Sequence, residues 1–311
     1  MAATTGWTFL LKVLLAPIAL LLLPITLGTH AARIMLAVPP LPHRRRVAAT
    51  YVRLVLTHLV VCRLLRRNRQ QERFLGYRVR FFDYGEFVSQ FRDFFLERWL
   101  YFTAGTPRPL IIDCGGHIGM PVLFFKYLYP DAEVWSFEPD DRAFAIMRDN
   151  VEANGLSDVH LVRAAICDRD GSTAFYARND RTSSVGSSIF QAQVGVQGHE
   201  SRVASVPCQR LSPYVNRSVA FLKMNIEGAE YEVINDIASR LGHVSELLIS
   251  SHVSSRDDAS KLRQMLDLLD RAGFGYTLAG YSASPLWASK GKPYLNYVYA
   301  WQGAREAAAP V

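Results

Sequence analysis

The stretch LIIDCGGHIGMPVLFFKYLYPDAEVWSFE, residues 110–138, decides the fold. An apolar strand from Leu110 to Ile112 ends at Asp113, and a turn containing Gly115, Gly116 and Gly119 follows. An apolar helix then leads to a second strand that ends at Glu138. Glycines at a strand-to-helix turn allow positive φ and let a ligand approach the main chain without meeting a Cβ. The helix behind the turn offers unpaired N–H groups. A carboxylate about 20 residues past the turn stands where such units hydrogen-bond the two hydroxyls of a ribose. The stretch is therefore expected to be a nucleoside-binding βαβ unit.

These parts fit NAD as well as S-adenosylmethionine, and the glycine spacing favours the second. Dinucleotide binders use G-x-G-x-x-G, so that the helix start can hold a pyrophosphate. Here the glycines read G-G-x-x-G, with Asp113 two positions before the first. S-adenosylmethionine carries no phosphate, and its ammonium is a partner that a nearby Asp113 would attract.

Charge is unevenly divided along the 311 residues. Residues 1–80 carry one Lys, twelve Arg and a single acid, Glu72, a formal +12, which leaves −5 for the remainder. The pI of 9.3 thus describes the N-terminal part and does not argue for a nucleic-acid partner. The four cysteines, Cys62, Cys114, Cys167 and Cys208, show neither C-x-x-C nor zinc spacing. That distribution predicts a reducing compartment, no disulfide and no thiolate metal site.

From Val13 to Thr29 no residue is charged, and the segment includes LLAPIALLLLPITL. It is short for a membrane span, which needs about 20 residues, and Pro17 and Pro24 would kink it. It reads as a kinked span, as a re-entrant segment or, least well, as a signal peptide. HRRR at His43–Arg46 and RRNRQQER further on flank an imperfectly amphipathic piece, Val47 to Leu65. Residues 1–74 are therefore expected to form a hydrophobic and basic membrane-associating region that faces anionic headgroups. The arginines place this side, and with it a domain over residues 75–311, in the cytoplasm.

That domain begins with YRVRFF, which alternates like a strand. EFVSQFRDFFLERWLYF follows with helical spacing, a helix expected to lie over the sheet edge and close the cofactor cleft. After Glu138, DDRAFAIMRDNVEANGL reads as a helix, VHLVRAAI as a third strand and STAFYA as a further extended piece. Such alternation predicts an α/β fold, a mainly parallel sheet covered on both faces. Asp168, in a DRDG turn, is a candidate for the adenine amino group. Residues 178–200, rich in Ser, Gly and Gln, read as a lid on the substrate side.

The second informative stretch is FLKMNIEGAEYEVIND, residues 221–236. Period 2 puts Leu222, Met224 and Ile226 on one face of a strand, and Lys223, Asn225 and Glu227 on the other. Three polar residues at the end of a central strand suggest a cleft holding charge. A plainer reading makes Lys223 and Glu227 a buried pair and lets Glu227 and Glu230 favour a helix N-terminus. ELLISSHV, a fifth strand, brings His252 to the same edge.

Taken together, DCGGHIG, SFEPDDRAFAIMRDNVEAN and FLKMNIEGAEYEVI resemble the FkbM family of S-adenosylmethionine-dependent methyltransferases over residues 75–280. K-x-x-x-E-G-x-E is the specific part. The resemblance implies a Rossmann-like, seven-stranded class I methyltransferase sheet and methylation of hydroxyl oxygens on sugars, polyketides and other secondary metabolites. His117 stands where Asn is usual. Asn225 replaces a usual Asp, which counts against any role needing charge there, including metal binding. The expected roles are cofactor binding by Asp113, Gly115, Gly116, Gly119, Glu138 and Asp168. His252 is the first candidate base and Glu227 the second, with Lys223 at the developing oxyanion or ordering Glu227. Beside a membrane the acceptor is expected to be amphiphilic, a lipid-linked glycan or a lipid hydroxyl. A membrane-anchored scaffold without turnover is the alternative that Asn225 motivates. An NAD-dependent oxidoreductase is a weaker one, since the chain has no Tyr-x-x-x-Lys.

Overall fold

The structure, a computed structural model, describes residues 22–178, 189, 201–253, 255–280 and 294–303. Most of the uncharged segment before Leu22 and nearly all of the expected lid lie outside these residues. The chain divides into two units. One holds the described residues to Arg69 with Phe74–Gly76 and Tyr84–Arg98; the other holds Gln70–Arg73, Tyr77–Asp83 and the described residues from Trp99 onward.

In the first unit, α1 (Leu22–Leu36) and α2 (Arg44–Thr57) are linked by a hydrogen bond between His30 Nδ1 and the Tyr51 hydroxyl, 2.8 Å. The α2 helix continues as a π-helical segment, His58–Leu64. The helix α3 (Tyr84–Phe91), with its π-helical extension Arg92–Leu96, carries Phe87, Phe91 and Phe95 at four-residue steps, one face of a helix. That stripe is buried within this unit: Phe91 stacks on Phe95 at 4.4 Å, and both contact Phe74. Among the described residues Arg44–Leu64 is long and apolar enough to cross a membrane, by length and composition alone. A core helix of a soluble protein passes the same test, and Val47, Ala48, Tyr51 and Leu54 are indeed buried.

The second unit is built on a seven-stranded sheet. With β1 (Gln71–Phe74) and β2 (Tyr77–Arg80) forming a separate ribbon, the sheet takes β3 (Leu110–Cys114), β4 (Glu133–Phe137), β5 (Val159–Val162), β9 (Val219–Met224), β10 (Val244–Val253), β11 (Phe274–Gly280) and β12 (Tyr294–Gln302). The spatial order is β11-β12-β10-β9-β3-β4-β5. β3, β4, β5, β9 and β10 run parallel, while β12 is antiparallel to β10 and β11. From β3 the chain turns first towards β4 and later returns to β9 on the other side. The carboxyl end of β3 is therefore the switch point, where open α/β sheets bind ligands.

Both faces are covered, as expected. Ile112, Cys114, Leu222, Met224, Leu247 and Ile249 belong to one core with Val233 and Ile234 of α6 (Glu230–Asp236) and Met265 and Leu269 of α7 (Arg256–Arg271). On the opposite face Phe221 stacks on Phe102 at 4.7 Å and meets Phe125 of α4 (Met120–Leu128) at 5.8 Å. Asn150 of α5 (Asp141–Ala153) and Asn154, its C-cap residue, tie this helix to β2. The Asn150 amide accepts from Arg80 N and donates to Arg80 O, and Asn154 does the same with Arg78. Two asparagines one helical turn apart thus match a strand's two-residue repeat.

VHLVRAAI is two strands. Ala164 N bonds to Val162 O, a three-residue γ-turn that breaks the extended run. β6 (Ala165–Cys167) then joins β7 (Gly171–Arg178) and β8 (Ser201–Arg210) in a second sheet. There Cys167 and Cys208, 41 residues apart in sequence, form a disulfide with Cα atoms 5.9 Å apart, within the usual range. This corrects the expectation that the chain has no disulfide. Spacing along the chain could not reveal a pair that only the β6–β8 register brings together.

Candidate active site

The turn after β3 is shaped first by its protein neighbours. Gly115 and Gly116 both donate to Phe137 O at 2.9 Å, which locks the turn to the end of β4. A Cβ on Gly115, where φ is 89°, would sit 2.0 Å from Asn225 O. One on Gly116 would sit 2.2 Å from Ser136 Oγ and 2.7 Å from Met147 Sδ. The glycines at these two positions are therefore required by β4, α5 and the end of β9, a demand that precedes any ligand. Gly119 caps α4 in a left-handed conformation. His117 has φ 51°, a region in which Asn and His are both enriched, so the histidine fits where the family usually has Asn.

Beneath the turn lies a charged row that the strand register sets, with Asp113 opposite both Lys223 and Ser136. Asp113 is 0% exposed; its Oδ2 accepts from Ser136 Oγ at 2.7 Å, and its Oδ1 lies 3.0 Å from Lys223 Nζ. Lys223, 6% exposed, also donates to Gly115 O at 2.5 Å and Cys114 O at 3.2 Å. A buried charge must be paired to be tolerated, and the two residues ion-pair while Lys223 holds two turn carbonyls and Asp113 Oδ2 takes the Ser136 hydroxyl. Asp113 faces the Lys223 ammonium, and its buried Oδ1 makes no hydrogen bond. Lys223 donates to the two turn carbonyls and ion-pairs with Asp113, and none of these partners is Glu227.

Glu138 follows β4 and is 7% exposed. Its Oε2 accepts from His117 N and its Oε1 from Asp140 N, both at 2.8 Å. Burial pushes its pKa up to about 7, against the pull of those two backbone bonds. Burial, and then the Lys223 ammonium, drives the His117 imidazole down to about 3, so that ring is neutral. Asp140 is the N-cap of α5: its Oδ1 accepts from Arg142 N and Ala143 N, while its buried Oδ2 has no hydrogen-bond partner. Two buried carboxylates with spare acceptor capacity, next to a fixed glycine turn, fit a ligand presenting hydroxyl or amino donors, as the ribose and adenine of S-adenosylmethionine do.

The remaining candidates are more dispersed. Asp168 lies beyond β6, exposed and paired with Arg169 at 2.9 Å, and the described contacts do not connect it to Glu138. The His252 backbone pairs with Leu295 at the carboxyl end of β10; its side chain is outside the described residues. Glu227 is in the loop after β9, with φ 59°. Because β9 stops at Met224, the two-residue alternation no longer fixes its direction. Among the described residues no group of three or more His, Cys, Asp or Glu could hold a metal ion. Ser136, Asp140 and Glu230 were not among the expected site residues. Ser136 shares a strand face with Glu138 in SFE, and Asp140 stands at the helix start, so both left a trace in the sequence.

A class I methyltransferase sheet with a nucleoside-binding corner at its switch point defines an S-adenosylmethionine-dependent methyltransferase. Residues 113–276 match the Methyltransferase FkbM domain, and the chain belongs to this family. It is 25% identical over 173 residues to Methyltransferase 1 of Beauveria bassiana, covering 50% of this chain and 70% of that one. It is 30% identical over 140 residues to the 2-O-methyltransferase NoeI of Sinorhizobium fredii, covering 41% and 57%. A crystal structure of methyltransferase FkbM from Methylobacillus flagellatus is similar at 15% identity and a TM-score of 0.43, over 92% of this chain and 60% of that one.

Proposed function

We propose that this methyltransferase methylates a hydroxyl oxygen of an amphiphilic acceptor, a lipid-linked glycan or a lipid headgroup, at a membrane surface. The observation that carries the oxygen specificity is the likeness to an enzyme named a 2-O-methyltransferase. Bound S-adenosylmethionine supplies an electrophilic methyl group, so the protein's task is alignment and removal of the hydroxyl proton. Glu138 and Asp140 hold the nucleoside end. The main chain of Gly115 and Gly116, braced by Asp113 and Lys223, forms the wall beside the methionine end. Glu227 takes the acceptor's proton, or His252 does. The membrane part is supported by the composition of the first unit. Leu36, Val38 and Leu64 are exposed there in a segment that also carries Arg44, Arg45, Arg46 and Arg63.

The test is incubation of the full-length protein with methyl-labelled S-adenosylmethionine and a cell lipid extract, followed by mild alkali. Label extracted with the lipid before alkali and non-volatile after it is expected, since methyl ethers survive conditions that release methyl esters as volatile methanol. Alkali-labile label, or label in protein or nucleic acid alone, would overturn the proposal.

A further inference from the structure

The last glutamate of K-x-x-x-E-G-x-E has no part in the site so far, and its bonds give it one. Residue 225 locks the start of the loop after β9 to the cofactor turn. Its N–H bonds to Cys114 O at 3.0 Å, and its carbonyl occupies the space that a Gly115 Cβ would need. Glu230, the first residue of α6 and 4% exposed, turns back on the same loop. Its Oε1 accepts from Ile226 N at 3.0 Å and its Oε2 from Gly228 N at 2.9 Å. Both are charge-assisted bonds to backbone donors, the stronger kind. The residue between the two held amides is Glu227, at φ 59°, a conformation that residues other than Gly, Asn, Asp and His rarely adopt. A non-glycine residue persists there only where its surroundings enforce it, and such outliers cluster at functional sites. Glu230 spends its carboxylate on the loop rather than on the helix N-terminus, so the plainer capping reading leaves these bonds unexplained.

We propose that Glu230 is a positioning residue that clamps the 226–228 loop and so holds Glu227 at the carboxyl edge of the sheet, where it meets the acceptor. The proposal rests on the reading of Glu227 as the group that takes the hydroxyl proton. It accounts for the second half of the motif as one device: Gly228 at φ 115° lets the chain turn back, Glu227 stands at the apex and Glu230 fastens both sides.

The experiment is a double-mutant cycle on the full chain, with methyl transfer to the lipid extract and S-adenosylhomocysteine binding measured for every variant. Glu230→Gln keeps the shape but has one acceptor oxygen for two amides. Transfer is expected to fall roughly 10- to 100-fold in kcat, as misplacement of a catalytic group by about 1 Å does, with KM and S-adenosylhomocysteine affinity little changed. In a Glu227→Ala background the same change is expected to cost nothing further, because the two residues act as a unit. Glu227→Gly, which needs no folded Glu230 variant, is expected to raise the melting temperature while transfer is lost. Wild-type transfer in Glu230→Gln, an equal loss in the Glu227→Ala background, or a Glu227→Gly protein no more stable than wild type would each overturn the clamp. Absence of S-adenosylhomocysteine binding in the wild type would instead overturn the placing of the transfer site, and the clamp with it.

Discussion

Replacing Glu138 with Gln is expected to stabilise the cofactor-free protein at alkaline pH and to destabilise it at acidic pH. The folded-state pKa of Glu138, about 7 against an ordinary 4.5, means that burial disfavours the ionised carboxylate. Below about pH 4.5 folded and unfolded chains both hold the proton, and the group costs nothing. As pH rises towards 7 the unfolded chain ionises first, so stability is lost, and above 7 the full cost is present. At 1.36 kcal/mol per unit that cost is about 3 kcal/mol. Gln removes it, but it sets an amide NH2 against either His117 N or Asp140 N, which costs about 1–2 kcal/mol at any pH. The variant should therefore be more stable than wild type by roughly 1–2 kcal/mol at pH 8 and less stable by at most about 1 kcal/mol at pH 5, where the unfolded chain is already partly ionised and about 1 kcal/mol of the wild-type cost is present. Denaturant melts at the two pH values measure this. A variant-minus-wild-type difference with the same sign and size at both would refute the account of Glu138 as a buried, strained acceptor.

Lys223→Met should cost about 3–5 kcal/mol, since it leaves Asp113 charged and buried beside Ser136 alone. A second change, Asp113→Asn, should recover part of that loss, and thermal melts of the single and double variants decide it. Thiol titration of the denatured, unreduced protein should find two reactive groups, Cys62 and Cys114, and four after reduction; four without reduction would remove the Cys167–Cys208 bond.

Much of the second unit was legible because its rules are local. Asp113, Gly115, Gly116 and Glu138 fall at the expected ends of β3 and β4, and alternation correctly placed Lys223 opposite the Leu222 and Met224 face. Partner choice was not legible. Alternation pairs Lys223 with Glu227, four residues away, whereas the parallel register of β9 on β3 puts it against Asp113, 110 residues away. Glycines were read as room for a ligand, yet Asn225 and Ser136 already claim that room. The Cys167–Cys208 bond was illegible for the same reason, since long-range packing decides what a thiol meets. Glu227 escaped because β9 ends three residues before it, and alternation holds only while a strand lasts.

The central claim, that the corner of Gly115, Gly116, Glu138 and Asp140 binds S-adenosylmethionine, is tested most directly by calorimetric titration of S-adenosylhomocysteine into the detergent-solubilised full-length protein, beside Glu138→Ala. Micromolar binding by the wild type that the folded variant loses is the predicted result. Equal binding by both, or none by a folded wild type, would contradict it.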